Sequence, residues 1–149
     1  MYKKPKFLFS QKSTFPISFH DTDAMGVVWH GNYIKFFELA REALFDELGY
    51  GYAHMKRDGI ALPITECNCR YRNMLSVTDK ALTVDAMLVE YDCRIVIAYE
   101  VYAKDGDVLC AYGSTHQVAM DVNTKEVIFK TPEPLEKAVM AKLERIKND

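Results

Sequence analysis

The sequence predicts an α+β fold: an antiparallel sheet of about five strands built around one long central helix, with a second helix at the carboxyl end. Three observations support this fold class. Apolar residues recur at helical spacing after a short strand-like run near the amino terminus, and again at the end of the chain. Between these two segments, apolar and polar residues alternate as in strands. Strands that follow one another without intervening helices are typical of an antiparallel sheet.

Length and composition indicate one folded domain that spans residues 1–149. The chain shows no internal repeat and no change of composition that would mark a second unit. Hydrophobic residues make up 49% and aromatic residues 12%, which is too much for a disordered protein. The formal net charge of -2 provides no basic surface for nucleic acid, so we expect no nucleic-acid partner.

The amino terminus does not resemble a secretion signal. Its lysines precede an apolar run over 7–9 only, shorter than the roughly 7 to 15 residues of a signal peptide core. No segment approaches the roughly 18 apolar residues of a membrane helix. We therefore expect a cytoplasmic protein with no integral membrane segment.

The four cysteines lack the Cys-x-x-Cys spacing of a zinc site, and we expect them to be reduced. Cys67 and Cys69 would share one face of a strand, which leaves a metal pair open as the less favoured alternative. The prediction is that the protein binds no metal.

The first strand and the long helix flank a short turn. Residues 14–19 have the composition of a strand, and the turn after them carries Asp21, Asp23 and Gly26. Carboxylates are thus predicted beside the amino terminus of a helix, where N–H groups lack intrahelical partners and the dipole is positive. The apolar residues that predict this helix are Tyr33, Phe36, Phe37, Ala40, Leu44 and Leu48.

Four further strands are predicted after the helix. A glycine-containing loop ends at Asp58-Gly59, and residues 60–72 then have an extended pattern. Alternation over 82–88 predicts a strand buried on one face only. Residues 95–101 form the next strand, and a last long strand over about 108–120 pairs with it.

Turns and a terminal helix complete the prediction. The Asp105-Gly106 pair favours a hairpin turn between the last two strands, and residues 121–124 favour a second turn. Residues 132–147 begin with prolines and continue as an amphipathic helix, whose apolar residues are Leu135, Val139, Met140 and Leu143.

A motif over the turn and the helix start provides the strongest functional signal. It resembles the signature of the 4-hydroxybenzoyl-CoA thioesterase family, which includes the acyl-CoA thioesterases associated with the Tol-Pal system. Members have the hotdog fold, in which the sheet wraps around the central helix. The matching residues are Asp21-Thr22-Asp23-x-x-Gly26-Val27-Val28-Trp29-His30-x-Asn32-Tyr33, followed by Phe37-Glu38-x-Ala40-Arg41.

The resemblance implies catalytic roles for Asp23 and His30. In the family, the second acid of the Asp-x-Asp pair is the catalytic carboxylate, and the backbone N–H at the helix start donates to the oxyanion. These positions correspond to Asp23 and His30, while Asp21 is expected to be structural. Asp23 would act as nucleophile or as general base, and both routes stay open. A proton-transfer role for the His30 imidazole also stays open.

Further residues are expected to bind substrate. Arg70 and Arg72 suit the phosphates of coenzyme A, because guanidinium groups match phosphate oxygens, although a solvated strand edge is an equal alternative. From the motif we expect contacts by Gly26, Val27, Trp29, Asn32 and Tyr33. Together with Trp29 and Tyr33, an acyl pocket would be lined by Phe19, Met25 and Met74.

Two other groups of residues are weaker candidates. Glu38 and Arg41 lie three residues apart on the helix, which favours a local ion pair over a catalytic role for Glu38. Ser114 and His116 suggest a nucleophile and base. However, Ser114 lacks the Gly-x-Ser-x-Gly context of α/β-hydrolases, so that mechanism is disfavoured.

The predicted function is hydrolysis of an acyl-CoA thioester to free acid and CoA, with no cofactor besides the CoA of the substrate. Since the active site of the family lies between subunits, we expect a homodimer or a homotetramer. One alternative is a thioesterase that acts on acyl groups carried by acyl carrier protein. Another is a non-catalytic hotdog module that binds acyl-CoA.

Overall fold

The computed structural model describes residues 1–103 and 106–149 and contains three α-helices and eight strands over them. Short 3-10 turns cover Phe19–Asp21 and Val77–Asp79. In chain order the elements are β1 Phe9–Pro16, α1 Asn32–Glu47, α2 Tyr52–Arg57, β2 Ile60–Ala61, β3 Ile64–Tyr71, β4 Ala81–Glu90, β5 Ile95–Ala103, β6 Leu109–Gln117, β7 Ala119–Asp121, β8 Val127–Ile128 and α3 Glu133–Asn148.

Five strands form one antiparallel sheet in the order β1-β4-β5-β6-β3, and β2, β7 and β8 form a small second sheet. The predicted α+β class with a five-stranded antiparallel sheet and a carboxyl-terminal helix is therefore confirmed. Pairing of β5 with β6 confirms the expected neighbours at the end of the chain.

The core lies between α1 and the five-stranded sheet. The apolar stripe of α1 is buried as its spacing predicts, with Phe37, Ala40 and Leu44 fully inaccessible to solvent. The Phe37 ring stacks on the Tyr99 ring of β5, with centroids 4.4 Å apart. The inner faces of β4 and β5 contribute Leu82, Val84, Ala86, Leu88, Ile95, Ile97 and Val101 to this core.

The predicted first strand over 14–19 is misplaced. β1 begins five residues earlier, at Phe9, and pairs with β4 from Phe9 opposite Leu88 to Pro16 opposite Ala81. Pro16 has no N–H to continue the ladder, and a 3-10 turn starts at Phe19. Because β1 carries many polar residues, its bounds depend on its partner strand more than on its own pattern.

The two long strands predicted over 60–72 and 108–120 are each interrupted. The first divides at Leu62-Pro63 into β2 and β3, and the second divides at Val118 into β6 and β7. The breaks face each other, since the Val118 N–H donates to the Pro63 carbonyl at 3.3 Å. Both strands thus bend at one point, and the bend separates the small sheet from the large one.

The outer face of β4 is also buried, which corrects the prediction of a half-buried strand. Asp85 is 3% exposed and Met87 is fully buried. Residues before β1 lie over this face: the Lys4 ammonium is 3.2 Å from the Glu100 carboxylate of β5 and 4.0 Å from Asp85. The alternation of residues within β4 cannot show that a segment distant in sequence covers the outer face of this strand.

Three smaller predictions have mixed outcomes. Gly106 has the positive φ of +77° expected in a turn, while Asp105 lies outside the described residues. The turn at 121–124 is present, with Asp121 accepting the Asn123 N–H at 2.8 Å. In α3, Leu135 and Val139 are buried, but Met140 is 53% exposed and does not belong to the apolar stripe.

Helix α2 was not predicted, because glycine residues flank its six positions.

Replacing Phe37 by alanine should destabilise the fold severely. The change removes a ring with no solvent exposure that stacks on Tyr99, so the free energy of unfolding should fall by about 3–5 kcal/mol. Ile34→Ala on the exposed side of the same helix is the control and should change it by about 0.5 kcal/mol or less. Chemical denaturation measures both; equal losses in the two variants would contradict this description of the core.

Candidate active site

A tight turn between the 3-10 turn at Phe19–Asp21 and α1 carries the predicted catalytic acid. The Asp23 N–H donates to the Val27 carbonyl at 2.8 Å, and the Gly26 N–H donates to the Asp23 carbonyl at 3.0 Å. Gly26 has a φ of +77°, a conformation that costs a residue with a Cβ roughly 1–2 kcal/mol. The glycine of the motif is therefore required by the turn.

One oxygen of the Asp23 carboxylate is fixed and the other is free. Oδ1 accepts the Met25 N–H at 2.8 Å and the Val27 N–H at 3.4 Å, which is the turn-capping role common for aspartate. Within the described residues, Oδ2 accepts no hydrogen bond. The turn thus holds the side chain in one orientation and leaves an oxygen available for chemistry.

The start of α1 supplies N–H groups without acceptors. Gly31 precedes the helix, and no side chain caps it. The Trp29 carbonyl accepts the Asn32 N–H at 2.9 Å, so the N–H of the planar Trp29-His30 peptide points in the opposite direction, away from the helix. Among residues 1–103 and 106–149, the His30 N–H has no protein acceptor. The helix dipole adds positive potential at this position.

Asp23 and His30 open onto one cleft of about 280 Å³, which we call the Asp23 cleft. Asp23 is the only carboxylate among its described lining residues, and Arg72 is the only guanidinium. The lining residues are Asp23, Val27, Val28, His30, Tyr33, Tyr71, Arg72, Asn73 and Met74.

Other predicted site residues lie near the cleft without lining it. Gly26 shapes the turn, and the Asn32 side chain donates to the Asp21 carbonyl at 2.9 Å. Trp29 packs over Gly31, where a Cβ would lie 2.3 Å from the indole ring. Arg70 is exposed on β3 opposite Tyr112, and its contact with CoA phosphates stays a prediction.

Of the remaining predicted acyl-pocket residues, Met74 lines the Asp23 cleft and two do not. Phe19 and Met25 are highly exposed, at 76% and 85%. In this chain they therefore contribute no wall to the described cleft.

Tyr71 is a site residue that the sequence analysis missed. Its hydroxyl donates to the His30 carbonyl at 2.7 Å, and its ring meets the Tyr33 ring edge-on with centroids 5.2 Å apart. Tyr71 ends β3, about forty residues from the motif, and only the pairing of β3 with β6 brings it over the helix start. Asn73 and Val28 were missed as well. Asn73 lies beyond the end of β3, where alternation offers no signal, and Val28 is part of the motif but was given no expected contact.

Both tyrosines of the cleft stay protonated. Burial raises the pKa of Tyr33 to about 12, and burial together with a hydrogen bond to Cys69 raises the pKa of Tyr71 to about 12. Their hydroxyls therefore donate hydrogen bonds and do not act as bases near neutral pH. The groups able to accept a proton in the cleft are the Asp23 carboxylate and the His30 imidazole.

The two weaker candidate groups do not form reactive sites. The predicted ion pair between Glu38 and Arg41 is absent from the described part of the chain, because Arg41 turns inward and is 7% exposed while Glu38 faces solvent. The Ser114 hydroxyl accepts a hydrogen bond from Asn68 at 2.8 Å. The His116 ring lies 3.1 Å from Glu66 and does not pair with Ser114.

The described residues contain neither a metal-binding cluster nor a helix that could span a membrane. Across 1–103 and 106–149, no three or more His, Cys, Asp or Glu side chains cluster in a way that could hold a metal ion. No helix in this part of the chain has both the length and the apolar character needed to cross a membrane.

Known proteins resemble this chain over most of its length. Putative acyl-CoA thioesterase YneP of Bacillus subtilis (strain 168) is 27% identical over 124 residues, which cover 83% of this chain and 89% of the relative. The 1,4-dihydroxy-2-naphthoyl-CoA hydrolase of Thermosynechococcus vestitus is 28% identical over 120 residues, covering 79% and 82%. The crystal structure of DHNA-CoA thioesterase from Staphylococcus aureus superimposes with a TM-score of 0.80 at 28% identity, covering 93% of both chains.

A family model also matches most of the chain. Residues 17–143 match the thioesterase-like superfamily, a span that includes the motif turn, α1 and every strand of the five-stranded sheet except β1. The predicted hotdog thioesterase class is confirmed at this level. The chain belongs to the thioesterase-like superfamily.

Proposed function

We propose that this protein is an acyl-CoA thioesterase that uses Asp23 as nucleophile or general base and the His30 N–H as oxyanion donor. The proposal rests on one feature of the cleft: among the described residues, one Asp23 oxygen accepts no hydrogen bond, and Asp23 shares the cleft with a helix start that no side chain caps. Relatives that match most of the chain support the substrate class, since their names specify acyl-CoA or naphthoyl-CoA esters.

The helix start would stabilise the charge that develops during hydrolysis. In the proposed complex the thioester carbonyl lies against the His30 N–H. Attack on the carbonyl carbon moves negative charge onto the carbonyl oxygen, where the N–H donor and the helix dipole are already oriented and need no reorganisation. A single donor of this kind typically contributes about 10²–10³ in kcat. The Tyr71 hydroxyl restrains the adjoining His30-Gly31 peptide and so fixes the direction of this turn.

Asp23 can promote the attack by either of two balanced routes. As general base, its free oxygen takes a proton from water while the water oxygen bonds to the carbonyl carbon, and collapse expels the CoA thiolate. As nucleophile, the oxygen itself bonds to that carbon and expels thiolate, and water then hydrolyses the mixed anhydride. In both routes the thiolate finally takes up a proton, and no further cofactor is required.

Arg72 is the group best placed to meet the CoA portion of the substrate. It follows β3, lines the Asp23 cleft and remains solvent-exposed, as a residue that contacts a phosphate outside the acyl pocket should be. Val27, Tyr33 and Met74 provide the apolar wall of the cleft. Apolar walls discriminate weakly between acyl chains, by roughly 1–3 kcal/mol per methylene.

We also propose that the protein acts as a homodimer or homotetramer. Strand β3 lies at the edge of the five-stranded sheet, and every one of its residues except Cys69 is exposed. An open edge with Ile64 and Tyr71 at about half exposure is a surface that natural proteins usually cover. Pairing with a second copy would cover it and would enclose the open Asp23 cleft.

The cytoplasm is the proposed compartment. Cys67, Cys69, Cys93 and Cys110 are all free thiols in the structure, which fits a reducing environment.

Asp23→Asn should abolish most thioester hydrolysis. The amide cannot take the proton or attack as an anion, so thiol release from short, long and aromatic acyl-CoA esters should fall by about 10²–10⁴-fold. Asp121→Asn is a matched control, because Asp121 also accepts backbone N–H groups in an exposed turn, at 2.8 Å and 3.0 Å, away from the cleft. Wild-type turnover in Asp23→Asn would refute the catalytic assignment.

Tyr71→Phe should lower kcat without unfolding the protein. It removes one hydrogen bond to the His30 carbonyl, a loss of about 0.5–1.5 kcal/mol, or roughly 2- to 10-fold in rate. Steady-state kinetics at saturating acyl-CoA measure this effect. Tyr112→Phe on the outer face of β6 is the control and should retain the full rate; an equally active Tyr71→Phe enzyme would show that this contact does not support the oxyanion donor.

A further inference from the structure

The first acid of the motif, Asp21, is almost completely buried although a turn residue would be expected to face solvent. It is 4% exposed. Its Oδ2 accepts the Ser18 N–H at 2.9 Å and the Ser18 hydroxyl at 3.0 Å, and its Oδ1 pairs with the Lys35 ammonium. The carboxylate therefore has a partner at each oxygen. Lys35 belongs to the first turn of α1, so this ion pair joins the turn to the helix.

The backbone of Asp21 makes a second set of contacts with the helix start. Its carbonyl accepts both the Trp29 N–H and the Asn32 side-chain amide at 2.9 Å. Trp29 precedes the oxyanion donor His30, and Asn32 is the first residue of α1. The side chain and the main chain of Asp21 thus both hold the motif turn against the start of α1.

The two groups of the proposed mechanism, the Asp23 carboxylate and the His30 N–H, are both connected to Asp21, which we call the anchor. Asp23 follows Asp21 by two residues, and the His30 N–H belongs to the peptide formed with Trp29, whose own N–H is bound to the Asp21 carbonyl. A shift of Asp21 would move the carboxylate and the donor relative to each other. Catalysis by oriented groups is sensitive to such shifts, and a displacement of about 1 Å can cost about 10²-fold in rate.

We infer that Asp21, held by Lys35 and Ser18, is a positioning residue that sets the distance between Asp23 and the oxyanion donor. This inference rests on the proposed function. Asp21 does not line the Asp23 cleft, so its effect passes through the loop and through α1. Burial alone would raise the pKa of Asp21, but the hydrogen bonds from Lys35 and Ser18 outweigh it and hold the pKa below its usual value, which keeps the anchor charged near neutral pH.

Two substitutions test the anchor through the split between kcat and KM. Asp21→Asn and Lys35→Met should each lower kcat for an acyl-CoA ester by about 10- to 100-fold and change KM by less than about threefold, because misplacement affects the transition state more than ground-state binding. If the two residues act through one ion pair, the double variant should be no slower than the slower single variant. Lys35→Arg keeps the cation, so it should have most of the wild-type kcat that Lys35→Met loses.

Matched controls separate this effect from general destabilisation. Asp58→Asn removes a carboxylate that is also bonded to a hydroxyl, that of Tyr50 at 2.9 Å, and Lys137→Met removes a cation from an ion pair of 2.9 Å on α3. Both lie outside the cleft and should retain wild-type kcat. Thermal unfolding of every variant establishes that the rates refer to folded protein.

The outcomes distinguish this inference from the proposed function. If Asp21→Asn and Lys35→Met lose thermal stability but keep wild-type kcat, Asp21 has a structural role only. The proposed catalytic role of Asp23 would then be unaffected. Independent, multiplying losses in the double variant, or no recovery with Lys35→Arg, would refute the ion pair as the positioning element. The proposed function fails if the wild-type protein releases no thiol from acyl-CoA esters, and its catalytic assignment fails if Asp23→Asn retains wild-type turnover; both are measured separately on the same substrate.

Discussion

The packing of one face of α1 against the five-stranded sheet is the constraint on which the rest of the structure depends. Phe36, Phe37 and Leu44 are essentially inaccessible to solvent, and burial of each such side chain contributes about 1.5–3 kcal/mol. Close approach requires a glycine on β6: a Cβ at Gly113 would lie 2.1 Å from the Asn68 carbonyl oxygen and 3.0 Å from the Phe37 ring. Once this layer forms, the rotation and height of α1 over the sheet are fixed.

That packing places the uncapped end of α1 beside the motif turn. Among residues 1–103 and 106–149, the His30 N–H has no protein acceptor and one Asp23 carboxylate oxygen accepts no hydrogen bond. Such groups are costly in a core, yet they are what an ester carbonyl and an attacking water can use. Asp21 compensates at the base of the turn with a fully bonded carboxylate and carbonyl. The two groups proposed to react therefore face the cleft, while Asp21 holds the backbone of the turn on the opposite side.

Sequence patterns predicted the elements whose residues face one core and missed those that depend on distant partners. Helical spacing located α1, and alternation located β4 and β5, because each buries a continuous apolar face. The bounds of β1, the bends at Pro63 and Val118, and the burial of Asp85 depend on contacts with remote segments. In the candidate site, a local motif predicted Asp23 and His30, which both line the Asp23 cleft, whereas Tyr71 comes from β3 and enters only through sheet pairing.

We propose that the thioester carbonyl binds between Asp23 and the helix start. A crystal structure of the wild-type protein with a ketone analogue of acyl-CoA, in which CH₂ replaces the thioester sulfur, tests it most directly. We expect the carbonyl oxygen within about 2.7–3.1 Å of the His30 backbone nitrogen, with the Asp23 carboxylate facing the carbonyl carbon. A carbonyl bound instead in the apolar cleft beside α2, lined by Tyr52, Met55, Ile60 and Pro63, would contradict it.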